Sequence, residues 1–356
     1  MSLMRSLLQK VIEFRDLEPE EAAGVLREMM RGEATQAQIG AFLAALRMKG
    51  ETTQELYGMA RVMREFCVRV DLPNPSRLID IVGTGGDRVK TLNVSTLSAL
   101  VAASAGVAVA KHGNRAASGV CGSADLLELL GVNISLQPDS VRRCVEEAGF
   151  GFMFAPLYHP AMRNVAGPRR EIGIRTFFNL LGPLTNPAGV GMILLGVAEQ
   201  GFLSRVARVL AMLGVERGLV VSSRDGMDEV SPNSETDAYV VMGNDEVERT
   251  VLRPEDFGWD PVSMELVTVS SREEAVDQAI RVLSGVLPDS DPRMRLVLAN
   301  SAASLLVAGA VSDLREGVRV ARDAIRERRP LETLRRVIEV SGGDAGKLDA
   351  LLKRVL

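Results

Sequence analysis

The sequence predicts an α/β protein with a small all-helical domain over residues 1–70 and a larger α/β domain over residues 71–356. Three observations predict it. Apolar residues recur at helical spacing through the first seventy positions. A break carrying two prolines, Asp71 to Pro75, then excludes a continuing helix. Beyond it, short strand-like apolar runs alternate with helical ones, the pattern of a sheet with helices on both faces.

In the helical domain the apolar positions are Leu7, Val11, Ile12 and Phe14, then Ala22, Val25, Leu26 and Met29, then Ile39, Phe42, Leu43 and Leu46. Leu17-Glu18-Pro19 separates the first two helices. Thr35 and Thr52 or Thr53 are suited to N-caps, and Gly50 to a C-terminal stop. In the second domain the strand-like runs are Leu78–Val82, Val107–Ala110, Met192–Leu195, Gly218–Ser222 and Tyr239–Met242. Helical runs fall at Leu97–Ala105, Asp125–Leu130, Ser140–Ala148, Leu203–Leu213 and Arg272–Leu283. After Pro292 the chain reads as mostly helical, with Met294–Ala308, Asp313–Arg328 and Leu331–Val340.

Composition narrows the function. The 356 residues are 46% hydrophobic and 25% charged, as in ordinary globular proteins. A net charge of -4 argues against a polyanion-binding surface, so a phosphate site must be built from local cations and backbone dipoles. Cys67, Cys121 and Cys144 have neither metal-site nor disulfide spacing, which suits a reducing cytosol. The first ten residues lack the apolar core of a signal peptide, and no apolar stretch is long enough to span a bilayer. A cytoplasmic location is therefore expected.

Four segments carry chemistry. The first, Leu78 to Thr96, is an apolar run followed by Gly83, Gly85, Gly86 and Asp87, then Asn93, Ser95 and Thr96 before an Ala-rich helix. Strand, glycine loop and helix N-terminus aim free N–H groups at one place, an arrangement that receives anions. It is neither a dinucleotide fingerprint nor a P-loop, and a plain tight turn is the alternative. The second places Lys111, His112, Asn114, Arg115, Ser118 and Ser123 directly after an apolar run. Ligands of open α/β sheets bind outside the carboxyl ends of strands, so two such ends rich in glycine, hydroxyls and cations suit a phosphorylated ligand; a solvated loop with surface ion pairs is the alternative.

The third segment, Phe152 to Pro187, holds His159 together with Arg163, Arg169, Arg170 and Arg175. One guanidinium would serve to bind a carboxylate in bidentate fashion, with Phe154, Tyr158 and Met162 walling an aromatic ring. The fourth sets Asp225, Asp228 and Glu229 just after a buried strand, where carboxylates in a turn can face Mg²⁺; an exposed turn is the alternative.

Read in order, G-T-G-G-D with N-V-S-T, K-H-G-N-R with G-S-A-D, H-P-A-M-R-N-V-A-G-P-R, G-I-R-T-F-F-N-L-L-G-P-L-T-N-P and D-E resemble the anthranilate phosphoribosyltransferases of tryptophan biosynthesis over nearly the whole chain. The resemblance implies a small helical domain hinged to a larger α/β domain with a central, mostly parallel sheet flanked by helices. It also implies a homodimer joined through the small domains, with helices around residues 160–190 packing back against the small domain. The implied reaction moves phosphoribose from 5-phosphoribosyl 1-diphosphate to the anthranilate nitrogen, with two Mg²⁺ ions per subunit.

Carried over by position, Gly83, Gly86, Asp87, Thr91, Asn93, Val94, Ser95 and Thr96 would hold phosphoribosyl diphosphate. So would Lys111, His112, Gly113, Asn114, Arg115, Ala116, Ala117, Ser118, Gly119 and Ser123. Gly83, Asn114 and Arg169 would meet anthranilate, with His112 and His159 as further candidates for contact, packing or acid–base work. Ser95, Asp228 and Glu229 would ligate magnesium. The chain departs from many relatives at Arg88, where glycine is common, and at Gly119, where serine is common.

An aryl amine is neutral at pH 7, so no base–nucleophile pair is required, and none is evident. Two other classes share features with the chain. A pyrimidine nucleoside phosphorylase has a related architecture and lysine loop but lacks the arginine-bearing third segment. A catalytically silent nucleic-acid-binding relative would need a basic stripe that the net charge does not suggest.

Overall fold

The computed structural model describes residues 3–86, 89, 91–116, 120–260 and 268–356. Among the candidate residues, Asp87, Arg88, Ala117, Ser118 and Gly119 lie outside them.

Four helices open the chain: α1 (Leu3–Ile12), α2 (Pro19–Arg31), α3 (Gln36–Lys49) and α4 (Thr53–Glu65). Thr35 and Thr52 cap α3 and α4 in reciprocal boxes with Gln38 and Glu55. Gly50 ends α3 at φ 87°. One expectation fails here. Ile12 and Phe14 are 53% and 65% exposed, because α1 stops at Ile12 and Phe14 turns left-handed at φ 58° instead of continuing the apolar face.

The remainder runs β1 (Ile79–Gly83), α5 (Val94–Ser104), β2 (Val109–Gly113), α6 (Ser123–Leu129), α7 (Pro138–Ala148), β3 (Phe150–Phe154), α8 (Ala155–Tyr158), α9 (Arg163–Ile172) and α10 (Phe177–Leu184). Then come β4 (Met192–Gly196), α11 (Leu203–Met212), β5 (Arg217–Ser223), β6 (Thr236–Val241) and β7 (Val247–Leu252). Five helices close the chain: α12 (Arg272–Leu283), α13 (Pro292–Val307), α14 (Leu314–Arg326), α15 (Arg329–Ser341) and α16 (Ala345–Val355). Among the described residues no helix is long and apolar enough to cross a membrane.

The sheet order is β3-β2-β1-β4-β5-β6-β7, parallel from β3 to β5 and antiparallel at β6 and β7. Strands β3 and β7 fall outside the strand-like runs read from the sequence. Strand β3 (F-G-F-M-F) pairs with β2 from Val109↔Phe150 to Gly113↔Phe154. That pairing carries β2 past the expected end at Ala110, so Lys111 and His112 sit inside a strand and point to opposite faces. Edge strand β7 (V-E-R-T-V-L) is half polar and reads weakly as a strand for that reason.

Strand alternation feeds two cores. Ile79, Ile81, Val109 and Leu194 face one core with α5, α12 and α13. Ile193, Leu195 and Val220 face the other, which is continuous with the apolar side chains of α1–α4 and with Val165, Phe177, Leu181 and Val206. The small helical domain is thus packed onto the back of the sheet through α9, α10 and α11. Asn164 Nδ2 donates to the Met30 carbonyl at 2.7 Å across that seam.

Candidate functional site

The chain leaves β1 to build β2 and β3 on one side, then returns to build β4 on the other. Strand order reverses between β1 and β4, and the crevice outside such a reversal is where open α/β sheets bind ligands. The loops that leave these strands form its walls.

Glycine is required on both walls. A Cβ at Gly83 would lie 2.4 Å from Asp228 Oδ2, and one at Gly196 would lie 1.6 Å from the Asp228 carbonyl. Gly85 and Gly86 have φ of 67° and 78°, where L side chains are strained. The Gly85 N–H donates to Asp228 Oδ2 at 2.8 Å. Thr84 N–H donates to the Gly196 carbonyl at 2.9 Å, and Thr84 Oγ1 accepts from Ala198 N–H at 3.0 Å. The glycine loop is therefore stitched to the turns after β4 and β5.

Lys111 enters from β2 and is 1% exposed. Its Nζ donates to Ser95 Oγ at 3.1 Å and to the Ile81 carbonyl. Burial pulls its pKa below the usual lysine range, and the charges of Asp80 and Glu229 oppose that pull. Asp80 is fully buried on the other face of β1. Burial lifts its carboxyl to about 6, against Lys111, an Asn186 Nδ2 donor at 2.8 Å and the His112 N–H at 3.2 Å. Asn186 also donates to the Ala110 carbonyl, tying the Leu184–Pro187 turn to both strands. Asp80 and Asn186 escape a reading of the sequence because no local spacing reveals that they meet.

His112 and His159 come together, with ring centroids 5.0 Å apart. Burial drives their pKa values down to about 3 and about 4, so both are neutral at pH 7. Each Nε2 is buried without a hydrogen-bond partner. Arg169 lies 4.8 Å over the Phe178 ring, and burial lowers its pKa. No carboxylate among the described residues pairs with it.

The other candidates divide. Asn93 Nδ2 donates to the Cys121 carbonyl at 2.7 Å, joining the start of α5 to the lysine loop. Thr91 bridges to Thr268. Val94 and Thr96 are buried in the first turn of α5. Ser123 Oγ donates to the Asn114 carbonyl at 3.2 Å, close against Gly113. Arg115 turns away onto Asp125 and Glu128, and Asp125 accepts from the Ala116 and Gly122 N–H groups at 3.0 Å. The aromatic wall is corrected. Tyr158 is 1% exposed in a core, with its hydroxyl donating to the Leu136 carbonyl at 2.8 Å. Met162 packs against the small-domain core, and Phe154 lies under Arg115.

Of the acidic turn, Asp225 is held by the Ser223 and Ser231 hydroxyls. Asp228 is 7% exposed, and burial raises its pKa against the Gly85 N–H. Glu229 lies within Coulomb range of Lys111. No three His, Cys, Asp or Glu side chains gather around one point among the described residues. A buried carboxylate that favours a cation, a neighbouring carboxylate and the Ser95 hydroxyl make a hard-oxygen set, which fits Mg²⁺ completed by ligand oxygens.

Two family models match the chain: the glycosyl transferase family a/b domain over residues 75–328 and the glycosyl transferase family helical bundle domain over residues 5–67. The anthranilate phosphoribosyltransferase of Aquifex aeolicus is 46% identical over 342 residues, covering 96% of this chain and 99% of that protein. The crystal structure of the Thermus thermophilus anthranilate phosphoribosyltransferase superposes with a TM-score of 0.86 at 42% identity, covering 94% of this chain and 99% of that one. The Saccharomyces cerevisiae protein of that name, solved with PRPP and Mg, has a TM-score of 0.88 at 26% identity, covering 95% of this chain and 98% of that one.

Proposed function

The chain belongs to the anthranilate phosphoribosyltransferases, and we propose from that premise that the crevice at the reversal of strand order is its reaction site. It is an enzyme of L-tryptophan biosynthesis that transfers the phosphoribosyl group of 5-phosphoribosyl 1-diphosphate to the amino nitrogen of anthranilate, giving N-(5-phosphoribosyl)anthranilate and diphosphate. One observation carries the choice of site: the glycine loop, the buried Lys111–Ser95 pair and Asp228 all converge on the carboxyl ends of β1, β2 and β5.

Phosphoribosyl diphosphate is received by Gly83, Gly86, Asp87, Thr91, Asn93, Val94, Ser95 and Thr96 and by the lysine loop from Lys111 through Gly119, with Ser123. Support comes from the left-handed glycines and from a buried lysine that forms no ion pair with a carboxylate among the described residues. Ser95, Asp228 and Glu229 hold magnesium, two ions per subunit. Magnesium supplies positive charge to the departing diphosphate. Arg169 takes the anthranilate carboxylate, because it lies over Phe178 and no carboxylate among the described residues pairs with its fork. Gly83 and Asn114 complete that subsite. The neutral Nε2 atoms of His112 and His159 are unpartnered acceptors, and an aryl amine supplies N–H donors to such atoms.

Cleavage of the C1–diphosphate bond puts positive charge on the ribose and negative charge on the leaving group. The positive N-terminal end of α5 and the Lys111 ammonium oppose the latter. Holding the neutral amine in line with C1 lets its lone pair form the N–C1 bond as the C1–O bond breaks, the N–H proton leaving afterwards to solvent, and effective molarity can supply up to ~7–11 kcal/mol. The enzyme works as a cytoplasmic homodimer joined through its small domains.

Anthranilate fluorescence tests the reading. Loss of signal with phosphoribosyl diphosphate and Mg²⁺, abolished by EDTA, is expected. No loss with folded protein overturns it and moves the search to nucleoside plus phosphate.

A further inference from the structure

A line of charged side chains runs from the small domain to the glycine loop. Arg47 lies on α3. Its Nη2 meets Glu199 Oε2 at 2.7 Å, and Glu199 follows directly on Ala198, whose N–H binds Thr84. The other oxygen of Glu199 faces Arg175 Nη1 at 3.7 Å. Arg175 Nη2 donates to the carbonyl of Gly86, and a Cβ at Gly86 would stand 2.6 Å from that nitrogen. Arg47, Thr84, Gly85, Arg175 and Glu199 line one small cavity between the domains.

Arg47 also has a second carboxylate within its field. Glu51, in the α3–α4 turn, is 1% exposed, and among the described residues its carboxylate has no hydrogen-bond partner beyond its own backbone N–H. Burying such a carboxylate is costly. A half-exposed ion pair such as Arg47–Glu199 adds little to stability. Stability alone therefore accounts neither for the line nor for the stranded Glu51.

We propose that Arg175 is a positioning residue that braces the Gly86 carbonyl, and that Arg47 latches it from the small domain through Glu199. Glu51 is the partner Arg47 takes when the domains part. The latch then makes the shape of the diphosphate loop depend on domain closure. This inference rests on the reading that the glycine loop receives the diphosphate, and the test separates the two.

Hydrogen exchange of the ligand-free protein is followed at the peptide spanning residues 79–86. Arg47→Ala and the near-isosteric Glu199→Gln should each speed exchange of the Thr84 and Gly85 amides by about tenfold, while Glu51→Gln should slow it, and unchanged exchange there removes Glu51 as the alternative partner. In calorimetric titration with phosphoribosyl diphosphate and Mg²⁺, the same two variants should bind about tenfold more weakly. The double variant should be no weaker than either single one. KM for phosphoribosyl diphosphate should rise more than kcat falls, a split that a loss of stability alone would not give. Unchanged exchange in Glu199→Gln overturns the latch, whatever the binding data. Faster exchange in a protein whose wild type ignores phosphoribosyl diphosphate keeps the latch and removes the diphosphate reading.

Discussion

Replacing His159 by glutamine should make the large domain less sensitive to acid. A histidine whose folded pKa lies below its unfolded value takes up its proton only on unfolding. The stability it secures is present above the unfolded pKa and is lost as pH falls toward the folded one. His159 falls from 6.5 unfolded to about 4 folded, and His112 to about 3. Between pH 7 and pH 5, each should remove ~2 kcal/mol, since one pKa unit is about 1.36 kcal/mol. Asp80 works the other way. Its carboxyl, raised to about 6, takes up a proton in the folded state first and returns ~1 kcal/mol over the same range. The histidines win. His159→Gln removes one of the two acid-sensitive groups, so its drop between pH 7 and pH 5 should be smaller than that of the wild type by ~2 kcal/mol. Urea unfolding followed by the emission of Trp259 is the assay: this tryptophan is the only one in the chain, and it is stacked on Phe257 in the large-domain core. If the variant keeps the whole wild-type drop, His159 is not buried as a neutral ring and the reasoning fails.

Three further substitutions test the crevice. Lys111→Met should lower kcat/KM by about 100-fold or more, as losing a preorganised charge donor does; unaltered kcat/KM would take Lys111 out of the phosphate site. Arg169→Ala should raise the anthranilate KM by about tenfold or more while phosphoribosyl diphosphate binding stays near normal, because a bidentate charged contact is lost. Unchanged anthranilate kinetics would free Arg169 of that role. Asp228→Asn with Glu229→Gln should shift the Mg²⁺ titration to higher concentration, and an unmoved midpoint would reduce the pair to a turn.

Sequence reaches the features that local chemistry dictates. Helix α12 reads at its observed limits, Arg272–Leu283, because its apolar positions recur with helical period behind a serine cap. The caps at Thr35 and Thr52 are visible for the same reason. Features set by distant partners are not visible. Strand β3 is F-G-F-M-F, whose glycine and lack of alternation suggest a loop until β2 pairs with it. Tyr158 looks like a site aromatic by neighbourhood, yet its hydroxyl finds Leu136 in a core. Arg115 stands in the lysine loop, but Asp125 and Glu128 on α6 draw its charge outward. Asp80 with Asn186, and Arg175 with Gly86, are separated by 106 and 89 positions. No spacing rule spans such distances.

The shared core behind the sheet bears on how the chain is made. Helices α1–α4 leave the ribosome before the large domain, and Val165, Phe177 and Leu181 complete their apolar core. These residues follow the end of α4 by about 100 positions or more, so roughly 5–20 s of synthesis separates the two halves at ~5–20 residues per second. During that interval the α1–α4 bundle carries apolar surface that the later members of the cluster cover. Slowing translation after residue 70 should prolong that exposure and lower the soluble yield, whereas slowing it after residue 220 should not.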